Sequence, residues 1–180
     1  MLGLVDRPTL TAYNMGSSLE ERVRLLRKLC WDEVNGVRSP RLIYIARQVT
    51  RGCPGRDLMC ELRAIYKFTV ENVRYTGDVA GVDTFSSPIR TLQMGGEDCD
   101  GHAVLNAALA IINGYHAKAR ITSNRGVTWD HIYCMVGLPK GSTSRWIALD
   151  TTLARSRNDV SRFGAEPPRA KYQDFSLSKP

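Results

Sequence analysis

The chain has no long apolar run. The longest, residues 103–112, holds ten residues and includes Asn106, against the roughly 20 that a bilayer crossing needs. A membrane-spanning protein is therefore not expected. The start, MLGLVDRP, has neither a basic n-region nor a long apolar h-region, so no secretory signal is expected. There is no internal repeat and no low-complexity tract. Histidine is scarce, with three residues, and the five cysteines are an odd number. At least one thiol is then free or paired between chains. Without a signal peptide, a reducing compartment is the default and a disulfide framework is not. Hydrophobic residues do reach 43% of the 180. That excludes a wholly disordered chain and suits one domain, or a core with a small helical extension.

Acidic residues are also in short supply, 18 against 25 basic ones, for a net charge of +7. The excess is uneven. Residues 1–73 carry 12 basic and 8 acidic side chains, residues 74–153 carry 7 and 7, and residues 154–180 carry 6 and 3. The middle is neutral and the ends are basic. Basic ends suit nucleic acid or ordinary solvated surface. Nucleic acid is not expected at a site in the neutral middle.

Residues 1–16 read as an irregular lead-in. Ser17-Ser18-Leu19-Glu20-Glu21 resembles a capping box. Val23, Leu25, Leu26, Leu29 and Cys30 then recur at helical spacing, which predicts a helix to about residue 34. Ser39-Pro40 opens a second helix, with Ser as N-cap and Pro in the first turn. A third is predicted over about residues 57–73. Residues 74–96, punctuated by Gly and Ser, read as a long loop ending at Gly95-Gly96, and such loops often carry function. An apolar helix follows over about 98–112 and stops at Asn113-Gly114. Three β-like runs come next, at 116–122, 129–136 and 145–151. From Leu153 the chain holds Pro167-Pro168 and little periodicity, so it reads as an arm or loose extension.

Cys99 stands at the start of the apolar helix. Unpaired backbone N–H groups and the positive end of the helix dipole lie there, and both favour thiolate. Glu97, Asp98 and Asp100 oppose it, so a cationic partner is needed at neutral pH. His131 suits that role. Strand side chains alternate faces, so His131, Tyr133 and Met135 share one face of their strand, and Trp146, Ala148 and Asp150 share a face of theirs. A hairpin centred on Lys140-Gly141 would set His131 directly opposite Asp150, with Cβ atoms about 4.5–5.5 Å apart. Thiol, imidazole and carboxylate then form a nucleophile, a base and an orienter.

These blocks resemble a known family. Gly95-Gly96-Glu97-Asp98-Cys99-Asp100-Gly101-His102-Ala103 is similar to the Gly-Asp-Cys-Asp block of transglutaminase-like cysteine enzymes. Trp129-Asp130-His131-Ile132-Tyr133 resembles their His strand, and Trp146-Ile147-Ala148-Leu149-Asp150-Thr151-Thr152 their Asp strand. Val73-Arg74-Tyr75-Thr76-Gly77-Asp78 resembles the segment leading into the site. The resemblance covers roughly 57–153 and is closest to the small versions in bacteria and tailed phages. One departure is Glu97, where the family's glycine normally sits two before the thiol. The resemblance implies an α+β, papain-like core with the Cys helix packed on an antiparallel sheet. It implies Cys99 as nucleophile, His131 as general base then acid, and Asp150 as orienter. The oxyanion hole would use the Cys99 N–H and, at a spacing seen in papain-like enzymes, Gln93. The organisation expected is a helical extension (1–56), a core (57–153) and a basic tail (154–180).

Blander readings stand beside these. Cys99 and His131 are also residue types that fill cores, and Asp150 suits capping a turn with Thr151 and Thr152. His102, one turn after Cys99, is a rival base or a packing residue. Cys99-x2-His102 and His131-x2-Cys134 have the look of zinc ligand pairs, but residues three apart on a strand point to opposite faces. Cys30, Cys53, Cys60 and Cys134 are most simply apolar fillers; Cys53 and Cys60 flank a turn and are able to pair in an oxidising setting. Two function classes remain. One is an enzyme acting on a peptide, isopeptide or glutamine amide, with water or an amine as acceptor and no metal or organic cofactor implied. The other is a structural or adaptor component of a phage virion, docking through the basic helices and tail. A cytoplasmic or virion-associated location follows from either.

Overall fold

The computed structural model describes residues 10–14, 18–77 and 82–178. In chain order the elements are β1 (Leu10–Asn14), α1 (Leu19–Cys30), α2 (Pro40–Thr50), α3 (Leu58–Asn72), β2 (Arg74–Tyr75), β3 (Val82–Ser86) and α4 (Pro88–Met94). Then come β4 (Gly96–Glu97), α5 (Cys99–Ile112), β5 (Ala117–Ser123), β6 (His131–Leu138), β7 (Arg145–Leu149), a 3-10 turn (Thr151–Leu153) and β8 (Lys171–Ser176). The main sheet has the order β7-β6-β5-β8 and is antiparallel throughout. This is an α+β architecture. β1 pairs antiparallel with β3, and β2 pairs parallel with β4.

The helices start where their caps dictate. Ser18 and Glu21 form a reciprocal capping box on α1. Ser39 caps α2 with Pro40 in its first turn, and the Asp57 carboxylate caps α3. α1 ends at Cys30, earlier than its apolar pattern predicts. The reason is Asp32, whose carboxylate accepts from the N–H groups of Val34 and Asn35 and so draws the chain into a turn.

α5 is the central element. Its residues from Gly101 to Ala110 are all buried, and it packs against β6 and against α1, α2, α3 and α4. That explains an apolar stretch with no polar side: a helix covered all round has no wet face. Ile132, Cys134, Val136 and Leu149 join the core beneath it, while Tyr133, Met135 and Ala148 cluster on the sheet's other face.

Two regions differ from the expected organisation. Within the predicted loop 74–96 the chain forms β2, β3, α4 and β4, with residues 78–81 outside the described residues. Ser87-Pro88 repeats the Ser-Pro start of α2, and Gly95 closes α4 at φ 64°, a left-handed conformation that glycine adopts without strain. Of the predicted lead-in 1–16, residues 10–14 are β1, and the rest lies outside the described residues.

The second difference is the tail, which is no loose arm. β8 hydrogen-bonds along β5, Leu177 is fully buried, and α1 grips the segment: Trp31 Nε1 donates to the Leu177 carbonyl at 2.8 Å and Arg27 Nε to that of Ser176 at 2.7 Å. Arg120 binds Asp174 with two parallel bonds of 2.7 and 2.8 Å and Glu166 at 2.8 Å. The tail's weak periodicity reflects an edge strand that leaves most of its side chains wet. Cys53 and Cys60 are not fillers: they form a disulfide across the α2–α3 turn, Cα atoms 5.7 Å apart. Cys30 and Cys134 are buried free thiols, and burial pushes Cys30 up to about 12.

Candidate active site

Cys99 is the first residue of α5, and what precedes it fixes where it points. Asp98 is the N-cap, its carboxylate accepting from the N–H groups of Asp100 (3.0 Å) and Gly101 (3.3 Å). The Cys99 N–H stays outside that cap. Glu97, the residue that departs from the family pattern, is buried in β4, where its carbonyl accepts from Thr76 N–H at 2.9 Å. Its side chain lies against the first turn of α5, where a Cβ on Gly101 would overlap Glu97 Cγ. Gly101 is thus the space that a glutamate needs two residues before the thiol.

His131 opens β6. It follows Asp130, whose N–H donates to the Thr122 carbonyl at 3.1 Å and whose carboxylate accepts from Asn124 N–H. Asp150 lies just past the end of β7 and is 1% exposed. His131 Nε2 and Asp150 Oδ2 are 2.8 Å apart. The other carboxylate oxygen accepts from Thr152 N–H (3.2 Å) and Thr152 Oγ1 (2.7 Å). Asp150 therefore both caps a turn and holds the imidazole. The Tyr133 ring stacks beside His131, centroids 5.7 Å apart and 29° between planes.

The hairpin register differs from the one predicted. Cys134 pairs with Leu149 and Leu138 with Arg145, which moves the centre one position along, to between Gly141 and Ser142. Asp150 then falls in line with Tyr133 instead of His131. A two-residue slip preserves side-chain parity, so His131 and Asp150 still share a face and meet diagonally across the ladder. The slip comes from the turn, where Ser144 N–H and Oγ both donate to the Leu138 carbonyl.

Cys99 and His131 line one cavity of about 690 Å³, together with Asp98, Asp100, Ile132 and Trp129. α1 supplies Leu19, Arg22 and Leu26 to its wall, a contribution no motif announced. Gln93 is not brought there: it is exposed on α4 and is not part of this lining. A side chain near the end of that short helix, just before Gly95 reverses the chain, faces solvent. Cys134 lies in the core on the opposite face from Tyr133. Among the described residues no group of three or more His, Cys, Asp and Glu is arranged to hold a metal.

The electrostatics of the thiol are set by its surroundings. Burial raises the Cys99 pKa most, the charges of Asp100, Asp98 and Asp150 raise it further, and the Ile132 N–H opposes them. All of these except that N–H favour the thiol over the thiolate. His102 is buried and held neutral, its pKa lowered by desolvation to about 4, with Nδ1 2.8 Å from Thr151 Oγ1. It is a packed, hydrogen-bonded residue.

No curated protein and no solved structure matches the chain. The sequence profile of the transglutaminase-like superfamily matches residues 43–151. That is more than half of the chain, and it takes in Cys99, His131 and Asp150. The chain belongs to the transglutaminase-like superfamily.

Proposed function

We propose that the protein performs thiol-dependent acyl transfer or hydrolysis on a peptide, isopeptide or glutamine amide. One observation carries this: Cys99 and His131 line the same cavity while Asp150, 2.8 Å from His131 Nε2, fixes the ring. With Nε2–H donated to that carboxylate, Nδ1 is the nitrogen left to take a proton. Because the thiol is pushed up, the sulfur is activated as it reacts. His131 accepts the Cys99 proton as the sulfur attacks the amide carbonyl, then gives that proton to the leaving amine as the C–N bond breaks. Water or an amine, deprotonated by His131, next attacks the thioester and releases the thiol. The Cys99 N–H is the donor available to the oxyanion.

Iodoacetamide labelling of Cys99, followed by intact mass, tests the base. Cys30 and Cys134 are fully buried and Cys53 and Cys60 are bonded to each other, so label at Cys99 is separable. The wild type is expected to react at least tenfold faster near neutral pH than His131→Ala. Equal rates would sink the assignment.

A second reading, docking in an assembly such as a phage virion, is favoured by one feature. Arg24, Arg27 and Lys28 of α1 flank a groove of about 560 Å³ that is also lined by Val23, Trp31 and Phe175. The three cations outnumber Glu20, the one acidic residue of the lining, which suits an acidic partner. Charge reversal at Arg24 and Lys28 that abolishes association while leaving Cys99 reactivity intact supports this role; association that is unaffected counts against it.

A further inference from the structure

The mechanism above leaves His102 without a task, although it sits one turn from the nucleophile and is 2% exposed. It belongs to a buried chain of polar groups. Thr69 Oγ1 donates to Asn106 Oδ1 at 2.8 Å. Asn106 Nδ2 donates to the Leu149 carbonyl at 3.1 Å and to Thr151 Oγ1 at 3.0 Å. Thr151 Oγ1 is the atom 2.8 Å from His102 Nδ1. The Thr69 donor sets the Asn106 amide, and the Arg74 carbonyl beside the ring favours Nε2 as the protonated nitrogen of His102. Thr69 commits its proton to Asn106, so the Asn106 amide faces Thr151 with its NH2. Thr151 accepts there and keeps its own proton for Nδ1 of a neutral His102. The remaining proton, on Nε2, is outside close hydrogen-bonding geometry, but the Arg74 backbone carbonyl beside the ring supports a proton on it, and the Tyr75 ring packs edge-on to the imidazole, centroids 6.3 Å apart.

Cys99, His102 and Asn106 lie at spacings of three and four on one face of α5. The bonds made by the Asp150 carboxylate reach β6 through His131 and its own turn through Thr152. The Thr151 hydroxyl joins that turn to α5. One helix therefore indexes the nucleophile at its first residue and the orienter through its second and third turns.

We propose that His102 and Asn106 are positioning residues: through Thr151 they fix the turn after β7 to α5, and so hold Asp150 and His131 at a set distance from Cys99. This rests on the catalytic reading of Cys99, His131 and Asp150. A buried, fully directed network is stiff, and small displacements at a catalytic contact are costly in rate.

The test uses the full chain with Thr151→Val, Thr151→Ser and His102→Gln. Two readouts are taken on each: the imidazole ¹⁵N spectrum of His131, which reports its tautomer and its bond to Asp150, and the rate of Cys99 labelling by iodoacetamide at neutral pH. Thr151→Val is expected to shift the His131 signals toward mixed tautomers and to slow labelling at least tenfold. Thr151→Ser, which keeps the hydroxyl, is expected to restore both. Adding His102→Gln to Thr151→Val is expected to cost nothing more, because the two act through one contact. His131 signals and a labelling rate unchanged in Thr151→Val would overturn the proposal. If that variant does not fold, His102→Gln decides the matter by the same two readouts. A wild-type rate that is indifferent to His131→Ala would instead sink the catalytic reading, and the His131 spectrum would still report whether Thr151 holds the pair.

Discussion

His131 Nε2 lies 2.8 Å from Asp150 Oδ2, and the carboxylate's other oxygen takes two bonds from Thr152. A buried carboxylate saturated in this way has no freedom to turn, so the imidazole it holds is fixed in tautomer and in plane.

Asp150→Ala is accordingly expected to slow labelling of Cys99 at neutral pH roughly 100-fold, within the range of a general-base contribution. The sign is informative. Loss of the Asp150 charge on its own eases thiolate formation, since that charge raises the Cys99 pKa. A slower reaction therefore means that orientation of His131 outweighs the electrostatic relief, and a faster one means the reverse. Intact mass over a labelling time course measures it.

Gly101→Ala is expected to destabilise the protein by about 1–3 kcal/mol, the cost of overpacking a well-filled site, because the new methyl meets the Glu97 side chain. Glu97→Ala combined with Gly101→Ala is expected to recover most of the loss. Urea melts of the two single variants and the double variant close the cycle.

Stability is expected to fall as pH drops below about 6.5, through burial of neutral His102. The unfolded chain takes up this proton near the ordinary histidine value of about 6.5, and the folded state resists it until about 4. The stabilisation is fully present above the first value and is lost as pH falls toward the second, for a total of about 3 kcal/mol. The difference between wild type and His102→Gln in melts from pH 7 to pH 4 isolates this group from Glu166 and Asp174, whose lowered pKa values also weaken the fold in acid.

Removal of residues 171–180 is expected to lower the melting temperature by at least roughly 10 °C. The deletion strips β8 from β5, empties the site of Leu177, and leaves Trp31 Nε1 and Arg120 without their acceptors on this segment. A calorimetric scan checks it.

Much of the site was legible because its chemistry is written locally. Cys99 beside a capping aspartate, and strands with His131 and Asp150 at fixed parity, can be read without tertiary information. The register was not legible, because it depends on hydrogen bonds from Ser144 that the turn decides. The place of Gln93 was not legible either: spacing along the chain says nothing about which face of α4 meets the cavity. The Ser87-Pro88 helix start has the same form as Ser39-Pro40, but the glycines around it make the stretch read as loop. β8 was illegible for a deeper reason. Most side chains of β8 are exposed on either face, with only Asp174 and Phe175 partly buried, so the strand carries no strong period-two signal. The Glu97–Gly101 fit joins two residues whose individual identities suggest nothing until they meet.

The grip of α1 on the last strand has a bearing on synthesis. Trp31 is made early, yet its indole acceptor is the carbonyl of Leu177, 146 positions later. β5 likewise waits for β8 to cover its free edge. A ribosome-bound chain must carry an open sheet edge and an unfilled pocket beside α1 until residues 171–177 have been made. The sheet cannot close before β8 emerges, so the β5 edge needs protection from edge-to-edge pairing until then.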